Sequence, residues 1–470
     1  MGLLLKGHPR ASALSRRRNG LDGRRQLAPV RASVTTPHSG YHFDGTPRRF
    51  FEGWYWKVQL PESGQSFALI YSIEDPLGNT PQAGVGLQVM GPDDGYICQF
   101  TPDVTGFWAE RNRLALGATF KPASPAGNPY GSSSGSGSSS SSSSGWSSGN
   151  GSSRSGGPRR MLPADSFFAA VEQGFQASDT SQQGRMIALE GGAAGPPLST
   201  VPNASWSLNI KPKAGWGATS GPTQKATAGW LSVLPIFEPH WQVMMAHGEA
   251  SGWLQWGGQR YEFTDAPAYA EKNWGGGFPS KWHWIQCNSF DGQPGLSVTA
   301  VGARRALLLG LQGVEEDVGL IGVHLPGGEF VELVPWNSEL EWDVDPWGRW
   351  WLRAVNDRYE ALVEATCAPE AGAVLRAPTT SMGLAPFCKD TFFGRCRLRL
   401  WRRAGGTKQG QPLVDATSST AALEVGGGPW WSAWRARAEM KEPFRSLVTL
   451  PLDVAGLGQL VPEQLRPPGL

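Results

Sequence analysis

Apolar residues recur at every second position through most of this chain and hardly anywhere at helical spacing. Trp54, Trp56, Val58 and Leu60 alternate with Tyr55, Lys57 and Gln59, and Leu340, Trp342 and Val344 alternate with Glu339, Glu341, Asp343 and Asp345. A period of two puts one set of side chains on each face of a strand, so both runs read as half-buried antiparallel strands. Comparable runs are SFALIYSIED, GVGLQVMG, YICQF, WSLNI, KWHWIQCNSF, VGLIGVHL, EALVEATC and CRLRLW, separated by turns that draw on 62 glycines and 37 prolines. No amphipathic helix longer than about three turns is found, and only SSTAALEV or a stretch near Trp434 could form a short one. The fold class is therefore all-β, with strand spacing that suits antiparallel barrels or sandwiches.

A chain of 470 residues fits two or three domains. HGEASGWLQWGGQRYEF starts a fresh series of strands, which predicts a first β domain over 34–248 and a second over 249–470. The first is interrupted at 122–159 by a Ser/Gly tract that cannot bury enough apolar surface to offset its chain entropy, so a disordered insertion is expected there. Gly131-Ser132-Ser133-Ser134-Gly135 matches the hydrolase GxSxG pattern only because such a tract matches it by chance; the elbow requires a strand before it and a helix after it.

The formal net charge of +2 hides an asymmetry. Residues 1–33 hold eight Lys/Arg and one acid, Asp22, and the remainder is net acidic. A basic, Ser- and Ala-containing head without a long apolar run reads as an organelle transit peptide rather than a secretory signal. The acidic remainder gives no support for nucleic-acid binding. No run approaches the roughly 20 apolar residues that span a bilayer as a helix, so membrane contact is expected to be peripheral. Five cysteines without a CxxC pair argue against a disulfide framework and a structural zinc, and fit a reducing compartment.

Two segments concentrate chemistry. In HSGYHFDGTPRRFFEGWYWKVQLP, His38 and His42 stand four apart, but the intervening SGY and the following DGTP oppose a helix, and no HExxH accompanies them, so no metal is expected. Asp44, Arg48, Arg49 and Glu52 precede the strand of Trp54 and Trp56: either a solvated turn with ion pairs closing a barrel mouth, or part of a site. In YAEKNWGGGFPSKWHWIQCN, Glu271, Lys272 and Asn273 precede Trp274 and three glycines, and Trp282, Trp284, Gln286 and Asn288 share one strand face. Polar groups in line with tryptophans would make an apolar pocket with a few fixed hydrogen-bonding groups. Five tryptophans between Trp336 and Trp351 are read chiefly as core.

These blocks, with QSFALIYSIEDP, GVGLQVMGPDD, PWNSELEWDVDPWGRWW, LRAPTTSMGLAPFCKDT and EVGGGPWW, resemble the tocopherol cyclases of plastid vitamin E biosynthesis, within a wider carotenoid-hydratase-like group. The resemblance covers Thr35 to Leu470 apart from the Ser/Gly tract. It implies two lipocalin-like β-barrel domains and a cofactor-free, acid-catalysed closure of phytyl-hydroquinones and related prenylquinols to chromanols. It also implies a chloroplast location with peripheral association to plastid lipid droplets, the plastoglobules. A hydratase adding water to a prenyl alkene, and a non-catalytic prenyl-lipid carrier, are the competing readings.

Protonating an alkene needs a neutral acid in a dry pocket, and aromatic faces to steady the resulting cation. Within the resemblance, Glu271 is the expected donor and Asp44 the second candidate, with His42 or Tyr55 receiving the phenolic proton. Arg48, Arg49 and Lys272 could hold the hydroquinone oxygens. Glu52, Trp54, Trp56, Asn273, Trp274, Trp282, Trp284, Gln286 and Asn288 are the expected substrate-binding residues.

Overall fold

Among the described residues the expected alternation is realised in two sheets of twelve strands each, antiparallel but for one short parallel pairing of Gln99 and Phe100 with Leu189 and Glu190. The structure is a computed structural model that describes residues 36–123, 159–190, 196–219, 224–233, 238–306, 315–428, 432–450, 461–462 and 468–469. The basic head and nearly all of the Ser/Gly tract lie outside the described residues. From Val34 onward the chain forms a single compact unit.

Six strands position the site and are numbered here in chain order. In the first sheet β1 is Phe51–Leu60, β2 is His240–Trp256 and β3 is Gln259–Gly275. In the second, β4 is Lys281–Cys287, β5 is Gly383–Ala404 and β6 is Val414–Gly426. β3 lies between β1 and β2, and β6 lies between β4 and β5. The change of sheet falls between Gly275 and Lys281. The expected division at 248/249 falls instead inside β2, which pairs with β3 on both sides of that point, from His240↔Trp274 to Trp256↔Gln259. Gly248 and Gly252, read as the start of a new series, sit at register shifts within this long hairpin, where a bulge bends a strand without ending it.

Each sheet curls round a core of its own, as two lipocalin-like units would. Trp54, Trp56, Val58 and Leu60 enter the core of the first sheet, while Ile285, Cys287, Trp342, Trp350, Leu423 and Val425 enter that of the second. A third cluster joins the sheets: Ala68, Met90, Val243 and Tyr269 from the first pack with Trp284, Leu375, Phe392 and Ala422 from the second. β1 is consequently buried on both faces rather than one, since Lys57 and Gln59 are as inaccessible as Trp56 and Val58. Burying a large apolar side chain is worth about 1.5–3 kcal/mol, and the tryptophans alternating along β1 and β4 supply that on both sides of the seam.

The two stretches read as possible short helices are strands. SSTAALEV lies in β6, and Trp434–Ala438 pairs with Glu339–Val344. Ala, Leu and Glu favour helix by only tenths of a kcal/mol per residue, which neighbouring strands on either side outweigh. The described helices are short, Ala164–Ala170 and Phe444–Val448. All five cysteines are free. No helix among the described residues is long and apolar enough to cross a membrane.

Candidate functional site

Register decides which residues can meet. On β1 and β3 the partners run Glu52↔Trp274, Trp54↔Lys272, Tyr55↔Glu271 and Lys57↔Tyr269. Because successive side chains point to opposite faces, adjacent pairs in this ladder separate into two environments. Glu52, Trp54, Lys272 and Trp274 share one face, and Tyr55, Lys57, Tyr269, Glu271 and Asn273 share the other.

The first face holds a closed network. Lys272 Nζ lies 2.5 Å from Glu52 Oε1 and donates to the Gly40 carbonyl at 2.6 Å. The His42 backbone N–H donates to Glu52 Oε2 at 2.8 Å, and its Nδ1 stands 3.2 Å from Glu52 Oε1. His42 stacks on Trp274 with ring centroids 3.9 Å apart, and its Nε2 faces His38 Nδ1 at 3.3 Å. Burial, then the Lys272 charge, hold His42 well below the usual imidazole range. His38 thus meets His42 by stacking and hydrogen bonding, and no group of three or more His, Cys, Asp or Glu among the described residues is arranged to hold a metal ion. With Glu52 already satisfied by two partners, this face is a buried ion pair with its hydrogen bonds complete.

The expected acids and bases of the turn lie apart. Asp44 is exposed and accepts from Thr46 N–H at 2.9 Å, while Arg48 pairs with Glu238 at 2.8 Å. Arg49 joins the sheets, bonding Glu74, Asp75 at 3.0 Å and the Thr379 carbonyl at 2.9 Å. None of these reaches Glu271. Trp54 and Trp56 face away from it, into the first sheet's core.

The second face of β1 and β3 looks onto β4. The Tyr55 ring meets Trp284 edge-on with centroids 5.5 Å apart, Tyr269 lies 5.9 Å from the same indole, and Lys57 Nζ donates to Gln286 Oε1 at 3.0 Å. One step further on, Asn288 Nδ2 donates to the Ala268 carbonyl at 2.9 Å. The even-numbered residues of β4 therefore line the seam, and the odd ones, His283 among them, enter the second sheet's core. Deep in this seam Tyr55, Trp241, Glu271, Phe387, Cys388 and Glu424 each keep part of their surface accessible.

Glu271 accepts a hydrogen bond from the Tyr269 hydroxyl at 2.6 Å, with the indoles of Trp241 and Trp284 beside its carboxyl. Burial pushes this carboxyl up to about 7, the Tyr269 bond pulling the other way. The Tyr55 hydroxyl is buried with no hydrogen-bond partner among the described residues. Burial, followed by the charges of Asp390, Glu271 and Glu424, holds it well above the ordinary phenol range.

Asp390 and Glu424 were not found by the sequence reading. They stand opposite each other on β5 and β6, and Glu424 in turn stands opposite Trp284 on β4. Glu424 Oε1 accepts from the Trp282 indole N–H. Trp282 can lie flat across β6 because residue 426 is glycine: a Cβ there would fall 2.0 Å from the indole. Neither Asp390 oxygen has a hydrogen-bond partner among the described residues, and Glu424 stands opposite it on the next strand. Two carboxyl groups can share a hydrogen bond only when one carries a proton. Desolvation and then the Glu424 charge push Asp390 far up, and burial raises Glu424. Both residues lie in blocks that carry the resemblance, FCKDT and EVGGG, but nothing in the linear order ties either to Glu271. The helix-compatible composition of SSTAALEV further concealed the strand face on which Glu424 lies.

Two grooves elsewhere, of about 420 and 630 Å³, are lined mostly by charged and hydroxyl side chains such as Glu364, Arg395 and Arg397, and Glu341, Arg349 and Arg437.

A family described as tocopherol cyclase-like matches residues 48–427. A Zea mays protein named "Tocopherol cyclase, chloroplastic" is 42% identical over 458 residues, covering 94% of this chain and 88% of the relative. An Oryza sativa subsp. japonica protein named "Probable tocopherol cyclase, chloroplastic" is 42% identical over 455 residues with the same coverage. Among solved structures, that of CghA is similar at 10% identity over 85% of this chain and 95% of that one, with a TM-score of 0.43.

Proposed function

The chain belongs to the tocopherol cyclase-like family, and from that premise we propose that the seam between its two sheets is where a prenylated hydroquinone is closed to a chromanol. Its activity is that of a tocopherol cyclase. The substrate is a prenylquinol, and the reaction moves a proton and forms a C–O bond without redox change. The seam supports this reading through one observation above the others: a carboxyl held near 7 among indole and phenol rings, with its hydrogen bond coming from a neutral phenol.

An alkene is a weak base, so the acid that protonates it must be uncharged at working pH and aimed at the double bond. Glu271 meets the first requirement because burial penalises its anion. In this proposal its proton goes to the trisubstituted alkene of the side chain. The tertiary cation that forms is steadied by the faces of Trp241, Trp284 and Tyr269, each worth about 0.5–2 kcal/mol. The phenol oxygen, held over that cation by the folded chain, closes the ring. Exclusion of water decides the product, since water reaching the cation would give an alcohol instead. The unpartnered Tyr55 hydroxyl contacts the substrate oxygen. Trp282, Trp284, Gln286, Asn288 and Asn273 frame the cleft, whereas Lys272, Glu52, Trp274 and His42 act on the far side of the sheet as its support.

Incubating the protein with 2,3-dimethyl-6-phytyl-hydroquinone separates three outcomes. Chromanol is expected; a hydrated side chain would make the protein a hydratase, and unchanged ligand a carrier. A folded Glu271→Gln protein is expected to lose nearly all turnover, and normal cyclisation by it would sink Glu271 as donor.

The curated relatives are chloroplast proteins by name, and the chain is placed in the chloroplast with them. Peripheral association with plastoglobules is the finer proposal. Fractionating chloroplasts by flotation tests it, and recovery wholly in the stroma would exclude it.

A further inference from the structure

Ring closure takes in one proton at the alkene and gives up one at the phenol, so a catalyst that resets itself needs a base as well as an acid. The carboxylate left on Glu271 could take that proton only by reaching the phenol as well as the alkene, and a second group at the phenol would divide the two tasks. The seam contains a second acidic station, carried by the opposite sheet: Asp390 on β5 and Glu424 on β6. We propose that Glu424, with Asp390 holding a shared proton behind it, is the base that takes the phenolic proton, and that the Tyr55 hydroxyl returns that proton to Glu271.

Four observations meet here. Glu424 keeps accessible surface in the seam while Asp390 is buried behind it. The Glu424 carboxylate is oriented by the Trp282 indole N–H, which reaches it over Gly426. Asp390 has no described hydrogen-bond donor and stands opposite Glu424, so a proton shared between the two carboxyls would satisfy it. The Tyr55 hydroxyl is buried and unpartnered, and it feels both stations, on β3 and on β5 and β6. Of the groups facing the pair, Asp94, Glu271, Tyr55 and Cys388 are acids, phenol or thiol, and the charges acting most strongly on Asp390 are all carboxylates. The shared proton lowers Glu424, but burial raises it more, because taking up a second proton removes a buried charge.

The steps balance. The Glu271 O–H breaks as the alkene C–H forms, leaving the Glu271 carboxylate and a tertiary cation. The phenol O–H breaks as the C–O bond forms, and its proton passes to Glu424, so the pair holds two protons. One of these returns through Tyr55 to Glu271. The substrate has gained and lost one proton, and both stations are as they began. Glu424 is the catalytic residue here and Asp390 a positioning residue that acts through it.

This inference rests on the ring-closure reading above. Glu424→Gln is expected to lower kcat by roughly 10²–10⁴-fold with KM within a few-fold, the loss shrinking for hydroquinones with a more acidic phenol. Asp390→Asn would replace the carboxylic O–H donor by a weaker amide N–H, which lowers Glu424 less and makes it a stronger base. Its acid limb in the pH–rate profile should move to higher pH while kcat falls less than in Glu424→Gln. A folded Glu424→Gln protein with wild-type kcat, or an Asp390→Asn protein with an unmoved acid limb, overturns the proposal and leaves Glu271 as donor untouched. Independently of any variant, infrared spectra of the wild-type protein at about pH 9, well above ordinary carboxylate values, should retain a buried protonated carboxyl band. Its absence would also overturn the proposal, whereas failure of wild-type protein to make chromanol would overturn the reading beneath it.

Discussion

The Tyr269 hydroxyl donates to Glu271 Oε2 at 2.6 Å from two residues back along the same strand. A bond to the charged form favours ionisation, so this contact lowers a carboxyl that burial raises. Tyr269→Phe is therefore expected to raise Glu271 above about 7 and move the alkaline limb of the cyclisation profile to higher pH, while lost orientation lowers kcat by on the order of tenfold. A pH–rate profile of the variant checks both effects. An alkaline limb that stays in place would separate Glu271 from that limb.

Lys57 titrates on the same face, and its effect is on stability. Burial lowers its ammonium from 10.5 to about 8, and its hydrogen bond goes to Gln286 Oε1. Between about pH 8 and 10.5 the unfolded chain binds this proton and the folded chain does not, so the lysine's destabilising contribution, on the order of 3 kcal/mol below that window, fades as pH rises. In Lys57→Met that relief is absent, though Gln286 is left without its partner at about 1–3 kcal/mol. Melting temperatures of the two proteins should be close near pH 7, with the wild type gaining on the variant by about pH 10. Parallel curves across that range would contradict the burial of a charged Lys57.

Trp241 borders the Glu271 carboxyl and keeps accessible surface in the seam. Replacing it by Leu removes a cation-facing ring worth about 0.5–2 kcal/mol and admits water. Chromanol formation should fall roughly 2- to 30-fold, with a hydrated prenyl alcohol appearing beside it in chromatograms of the products. Slower turnover with chromanol as sole product would assign the ring to packing instead.

Glu52 and Lys272 make the opposite kind of site. Their carboxylate and ammonium are both inaccessible and 2.5 Å apart. Removing one partner leaves a buried charge, costing about 3–5 kcal/mol, so Glu52→Gln and Lys272→Met should each lower Tm by several degrees. The double variant should recover part of that loss. Cyclisation pH profiles of the folded proteins should match the wild type, and a displaced limb in either would bring this face into the chemistry.

Much of the site could be read from the linear order, though not its sides. Tyr55, Glu271, Trp282, Trp284 and Gln286 were expected and share the seam. Lys272, Trp274, Glu52 and His42 were expected with them and lie across the sheet, because residues 271 and 272 are neighbours in sequence and opposites in a pleat. Asp44, Arg48 and Arg49 close the turn at the sheet's end. Asp390 and Glu424, over a hundred residues from Glu271, had no local signal, since a single acid in a strand reads as a solvated position.

What the chain determines by itself is periodic and local: a repeat of two sets all-β structure, glycine and proline set the turns, and long matching blocks set the family. What only tertiary structure decides is which face of each strand meets which neighbour. β1 and β3 have apolar and polar residues on both faces, so pattern alone cannot say which face is solvated or covered. The second sheet settles it by covering the Tyr55 and Glu271 face. That removes water from three carboxyl groups at once, and burial without a counter-ion keeps protons on groups that solvent would have ionised.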